Sequence, residues 1–236
     1  MAVTFSNIIN IFATPTEVFK NIKKSPKWLV VFGVICVVSL ICGYIMIPFT
    51  QKIMEKIFTA KMSDENMQET LSTIARYRMF FLLLVPIPLL IKWFFIGLLL
   101  YLGAILFDAQ ENNFRTVYAV VVHTELILLL MEVINLLILH IKGVEAINNI
   151  TDLKTIIGLE YFLSDKSQNI PLAALLNQFN VFSVWYVATL SIGMSVVCQL
   201  KKWKSAILVF CVWLIGVGFQ YAFTLLSENM LHMMGK

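Results

Sequence analysis

Lys92, Glu125 and Glu132 are ionisable side chains set inside stretches of sequence otherwise apolar enough to cross a bilayer. A charge at the centre of a membrane costs roughly 3 kcal/mol even on the mildest scale, so such residues pair with one another or line an ion or proton path. Glu125 and Glu132 stand seven residues apart, nearly on one helix face, and Asn135 lies one turn beyond Glu132. Lys92, Glu125, Glu132 and Asn135 are therefore the candidate intramembrane polar cluster. Its chemistry is either an ion pair or a relay of protons or ions that would also involve His123. His123 and Glu125 are two residues apart and point to different helix faces, which weighs against the relay.

The elements that must hold these side chains follow from composition. Hydrophobic residues make up 59% of the 236-residue chain and charged residues only 14%, with a mean hydropathy of +0.84. That balance excludes a water-soluble domain and indicates an integral membrane protein. Uncharged or nearly uncharged runs long enough to span a ~30 Å core predict five transmembrane helices, at about 28–49, 86–107, 116–140, 181–199 and 205–226. The uncharged run 167–200 is too long for one crossing, and its first part, about 171–179, reads as an interfacial helix. Further amphipathic helices are expected at about 15–24, 52–62 and 66–78. The predicted fold class is all-α: a bundle of five transmembrane helices with short amphipathic interfacial helices, forming one domain over residues 1–236.

Counting residues gives depth. The short loop 108–115 makes the second and third spans antiparallel neighbours. From it Lys92 lies roughly 22 Å away, Glu132 roughly 24 Å and Glu125 only about 14 Å. The arithmetic predicts a Lys92–Glu132 pair, with Glu125 protonated or bonded to another span. Pro86 and Pro88 place the start of the second span near Pro86, from where the Lys92 stem could also snorkel to water.

Lys20, Lys23, Lys24 and Lys27 precede the first span, and Lys201, Lys202 and Lys204 fill the loop before the last. Both clusters fall on one side only if the N-terminus is cytoplasmic and the C-terminus opposite, by the positive-inside rule. These seven lysines are the candidate contacts to lipid or to a cytoplasmic partner, and their simplest reading is as an anchor to anionic head groups. Thr14-Pro15-Thr16-Glu17 has the form of a capping box starting a helix at Pro15.

Other chemistry is weakly supported. There is no His-Glu-x-x-His, nucleophile motif or phosphate-binding glycine loop, so no catalytic residue and no enzyme activity is expected. Cys36, Cys42, Cys198 and Cys211 lie within spans without metal-type spacing, so no metal site, disulfide framework or cofactor is expected. Asn149-Ile150-Thr151 is formally a glycosylation acceptor, a triplet that often arises by chance. Trp185 and Tyr186 read as interfacial aromatics, and Ser191 and Ser195 as a small-residue face for close helix packing.

The segment from Leu172 through Asn180, Phe182 and Trp185 to Leu190, Gly193, Ser195 and the basic turn Lys201-Lys202 resembles the second half of the Yip domain. Pro15, Phe19, Pro26 and Trp28, and the run Asn113-Phe114-Arg115-Thr116-Val117-Tyr118, extend that resemblance over most of the chain. It implies a five-span bundle with a cytoplasmic N-terminus. Eukaryotic proteins of this kind are Golgi and endoplasmic-reticulum proteins that bind prenylated Rab-type GTPases. The present chain departs from their pattern: it has no Asp-Leu-Tyr-Gly-Pro stretch and no long cytoplasmic N-terminal region. The expectation is thus a prokaryotic cytoplasmic-membrane protein whose partners are the lipid bilayer and another membrane protein or complex, with no carry-over of the GTPase and no nucleic acid. A non-enzymatic scaffold or accessory subunit is the first functional expectation. A small transporter or channel component using Lys92, Glu125 and Glu132 is the second.

Overall fold

The computed structural model describes residues 2–59, 64–148, 150–163 and 169–234. Ten α-helices occur among them: α1 (Ala2–Asn10), α2 (Pro15–Lys24), α3 (Leu29–Ile45), α4 (Ile47–Thr59), α5 (Asp64–Leu83), α6 (Pro86–Leu106), α7 (Phe114–Lys142), α8 (Ile170–Asn177), α9 (Val181–Cys198) and α10 (Lys202–Met234). No strand is present among the described residues, apart from a single bridge between Gly158 and Asn180. α6, α7, α9 and α10 are each long and apolar enough to cross a membrane. α3 and α4 meet that test together and bend by 49° at their junction. The fold is thus an all-α membrane bundle of four spans, or five when the bent pair counts as one.

Two of the sequence expectations reach beyond the described residues. The predicted helix 52–62 runs past Thr59 into residues outside those described, as does the acceptor Asn149. α1 falls outside the expected helices, and α10 runs on to Met234 while its spanning part, Lys202–Ser227, matches the expected 205–226. The capping box ahead of α2 is not formed. Pro15 does occupy the first turn, but Thr14 makes no side-chain cap and its hydroxyl instead donates to the Asn10 carbonyl at 3.4 Å. Glu17 pairs forward with Lys20 at 2.8 Å instead of reaching back. Thr14 is instead turned back onto the end of α1, where its amide also donates to the Asn10 carbonyl at 2.7 Å.

The chain divides into two compact units, the first comprising 1–38, 86–130 and 181–216. Its core is built from the cluster that includes Phe19, Trp93, Leu100, Ile127, Leu190 and Met194. α2 is part of this core. Val18, Phe19 and Ile22, the apolar face spaced for a helix, are all buried, and α2 packs along α9. The close approach is made at Gly193, where a Cβ would lie 2.5 Å from Val120 Cγ1 and 3.0 Å from Phe19 Cζ. At the positions expected to form a small-residue face, Ser191 and Ser195, α9 approaches the start of α10. The Ser195 hydroxyl donates to the Leu200 carbonyl at 2.8 Å and fastens the α9–α10 turn, while the Ser191 backbone carbonyl accepts from Ser205 Oγ at 2.6 Å and its own hydroxyl bonds Val187 within α9.

The second unit comprises 39–85, 131–180 and 217–236. Phe49, Ile53, Leu139 and Ile147 form its apolar cluster, so α4 is docked against the segment after α7 through its buried stripe. Lys56 donates to the Ile147 carbonyl at 3.0 Å and to Asn148 Oδ1 at 2.9 Å, and Lys52 meets Glu145 at 2.6 Å. Lys52 holds the Glu145 carboxyl below its usual 4.5. A carboxyl depressed in the fold contributes stability that is present above 4.5 and is lost as pH falls through the lowered value. Wild-type protein is therefore expected to lose more thermal stability than Lys52→Met as pH is taken from neutral to well below 4.5. Equal acid sensitivity of the two would refute the pair's contribution.

Candidate functional site

Within the first unit, α6 and α7 lie close at Gly97, where a Cβ would be in ordinary contact with Tyr118 and Phe114 at 3.5 Å and 3.7 Å. The same pair of helices brings the Lys92 ammonium onto Glu125 Oε1. This is the ion pair of the polar cluster, and it corrects the expected Lys92–Glu132 pairing. The depth count compared Cα positions, whereas a lysine stem of about 6 Å and a glutamate side chain of about 4 Å together cover the roughly 8 Å offset. Lys92 keeps 44% of its side chain exposed while Glu125 keeps only 7%. The glutamate is the buried partner and the lysine reaches in to it.

The other two members of the expected cluster lie in the second unit. Glu132 is exposed and stands within electrostatic range of Cys42. Asn135 donates to the Leu153 carbonyl at 2.9 Å, while its Oδ1 accepts from the Thr155 amide at 2.6 Å and the Thr155 hydroxyl at 2.8 Å. It is a clamp on the 150–155 segment and not a continuation of the polar stripe. Asn135→Ala removes all three bonds and is expected to cost about 2 kcal/mol. Hydrogen exchange at the Thr155 amide checks this, since unchanged protection would show that the clamp is dispensable.

Two further residues buried in this unit are placed differently from what the sequence suggests, and the first of them lies near the pair. Tyr186 was expected at an interface, yet it is 5% exposed in the core and within electrostatic range of Glu125. Tyrosine near the start of a span is ambiguous between belt and core, because the rotation of α9 decides which way it faces. His123 is fully buried, its Nδ1 2.7 Å from the Ala119 carbonyl. A carbonyl only accepts, so Nδ1 carries the proton and Nε2 is left as an acceptor. That Nε2, Glu125 Oε2 and the Trp93 indole N–H are buried without a hydrogen-bond partner among the described residues. His123 bonds its own helix, so the relay order through Glu125 is not assembled in this structure.

The lysines separate into two groups. Lys23 meets Glu111 at 2.8 Å and Glu111 also accepts from Gln199 Nε2 at 2.7 Å, which ties α2 to the α6–α7 loop and the α9–α10 turn. Lys204 donates to the Phe107 carbonyl at 3.0 Å and contacts Asp108 at 3.3 Å. Asp108 and Gln199 both take left-handed backbone (φ 58° and 50°), which allows each helix to end abruptly and the turns to sit close. Lys20 pairs with Glu17 on the surface of α2. Lys24, Lys27, Lys201 and Lys202 are exposed and form no ion pair among the described residues.

Among the described residues no group of three or more His, Cys, Asp or Glu could hold a metal ion. Cys36, Cys42 and Cys198 are buried free thiols, while Cys211 is exposed. No curated protein and no solved structure matches the chain. The family model described as the Yip1 domain matches residues 9–223, from the end of α1 to within α10. With that match and its apolar spanning helices, the chain is a multi-pass integral membrane protein that belongs to the Yip family.

Proposed function

We infer that the protein is a non-enzymatic scaffold or accessory subunit in membrane organisation or trafficking, with a cytoplasmic N-terminus and a C-terminus on the opposite side of a prokaryotic cytoplasmic membrane. The observation that carries this reading is the fixed seat of α2. Its apolar face is sealed against α9, its Lys23 is tied to Glu111, and exposed lysines without an ion pair among the described residues remain around it. A rigid basic platform at a membrane surface suits recognition of an acidic partner or of anionic head groups. Family membership supports a membrane role and does not point to an enzyme.

Lys24, Lys27, Lys201 and Lys202 are the proposed partner contacts, since Lys23 and Lys204 are engaged within the protein. Purification from native membranes after cross-linking tests the idea. A protein partner should be recovered with wild-type protein and lost when these four lysines are replaced by glutamate, in a variant with unchanged melting behaviour. The same partner yield from both would overturn the platform.

The second reading, a small transporter or channel component, rests on the buried and partly unsatisfied groups Glu125, His123 and Trp93. Proton or ion flux into proteoliposomes that disappears with Glu125→Gln would favour it over the scaffold.

A further inference from the structure

We propose that the groove bounded by α6, the start of α7 and Trp28 holds one anionic phospholipid, with its phosphate on Arg115 and an acyl chain along the aromatic wall. The groove has a volume of about 480 Å³, and its lining includes Trp28, Leu90, Phe94, Phe95 and Tyr118. That volume is within the range of small-molecule sites. Its walls are aromatic rings in mutual contact: Trp28 meets Tyr118 at 5.0 Å and Phe94 meets Phe114 at 5.7 Å between ring centres. Such interlocked rings give a preformed cleft.

Arg115 is the only charged residue in the lining and belongs to the first turn of α7. It is exposed, and its guanidinium has no ion-pair partner among the described residues. The backbone amides of Arg115 and Thr116 are already taken by Asn113 Oδ1, at 3.0 Å and 3.4 Å. The guanidinium fork is therefore the donor left for a phosphate, which it matches in geometry.

The occupant follows from the setting. α6 and α7 are both membrane-spanning in length and hydropathy, so the exposed side chains Ile91, Phe94 and Phe95 face acyl chains by default. One cation at the helix end and an aromatic trough leading away from it reproduce the polarity of a phospholipid, with its anionic head and apolar tail. Aromatic side chains at such a boundary are suited to that division.

Tryptophan quenching by brominated acyl chains tests the site. The protein is reconstituted in phosphatidylcholine bilayers with a minor fraction of brominated phosphatidylglycerol or brominated phosphatidylcholine. Subtracting the signal of a Trp28→Phe variant isolates Trp28. Brominated phosphatidylglycerol should quench Trp28 as though enriched about fivefold, the ratio expected for one basic side chain attracting an anionic head group. Arg115→Gln should bring the two lipids level, Arg115→Lys should restore part of the difference, and Lys202→Gln should leave it unchanged. Equal quenching in wild type would reduce the groove to ordinary boundary lipid. The same response to Arg115→Gln and Lys202→Gln would replace the site by a diffuse basic field. Protection of Trp28 from both lipids would assign the groove to a second copy of the chain.

Discussion

Lys92→Leu is expected to destabilise the protein by about 3 kcal/mol, Glu125→Leu by roughly half of that, and the double variant by less than the sum. The asymmetry comes from burial. Without Lys92, a carboxylate only 7% exposed is left without its cation. Without Glu125, a lysine that is 44% exposed can redirect its stem toward a polar boundary. Among the described residues Glu125 Oε2 has no hydrogen-bond partner that could take over from the ammonium. Denaturant or thermal unfolding in detergent of the four species in this cycle measures the coupling. Additivity within about 0.5 kcal/mol would show that the two side chains do not stabilise one another. Lys92→Leu paired with Glu132→Leu provides the contrasting cycle, in which near-additive behaviour is expected.

Gly193→Ala is expected to loosen α2 from the bundle. A Cβ here would lie 2.5 Å from Val120 Cγ1, and a β-branched side chain held in a helix has no second rotamer to retreat into. The Phe19 ring is next nearest, at 3.0 Å. Overpacking of this kind costs about 2 kcal/mol. Concentrated on α2 docking, that cost raises the population of the detached helix on the order of thirtyfold. Trypsin cleavage at Lys20, Lys23 and Lys24 reads the detachment directly, since the backbone of a packed helix resists the protease. Val120→Ala added to Gly193→Ala removes the nearest clash and should restore much of the protection. Unchanged cleavage in Gly193→Ala would mean that α2 is held chiefly by Lys23–Glu111 and not by its apolar face. Lys23→Ala alone should cost under about 1 kcal/mol, because both partners of that pair retain solvent.

These two expectations concern features of different legibility. The starts of α2 at Pro15 and α6 at Pro86 could be read from proline, which fixes φ and needs no amide partner in the first turn. The close packing at Gly193 could not, because a glycine in an apolar run looks the same whether it faces lipid or a ring. Tyr186 illustrates the same limit, since either its hydroxyl or its ring could have governed its placement. Lys204 and Lys202 are two residues apart in one basic turn, yet the first is tied to Phe107 and Asp108 while the second is exposed.

The sequence by itself determined the membrane class, the family and the number of apolar spans within the range of four to five. A bilayer imposes its requirement along the chain: about 20 contiguous apolar residues per crossing, with backbone polar groups satisfied inside each helix. No partner need be known to count them. The tertiary structure alone decided that Lys92 meets Glu125, that Asn135 clamps Thr155, and that α2 is sealed against α9. Those pairings depend on how far each helix is rotated and inclined and on how far a side chain reaches. Residue counting fixes depth to within one or two turns, and at that scale Glu125 and Glu132 were equally available to one lysine.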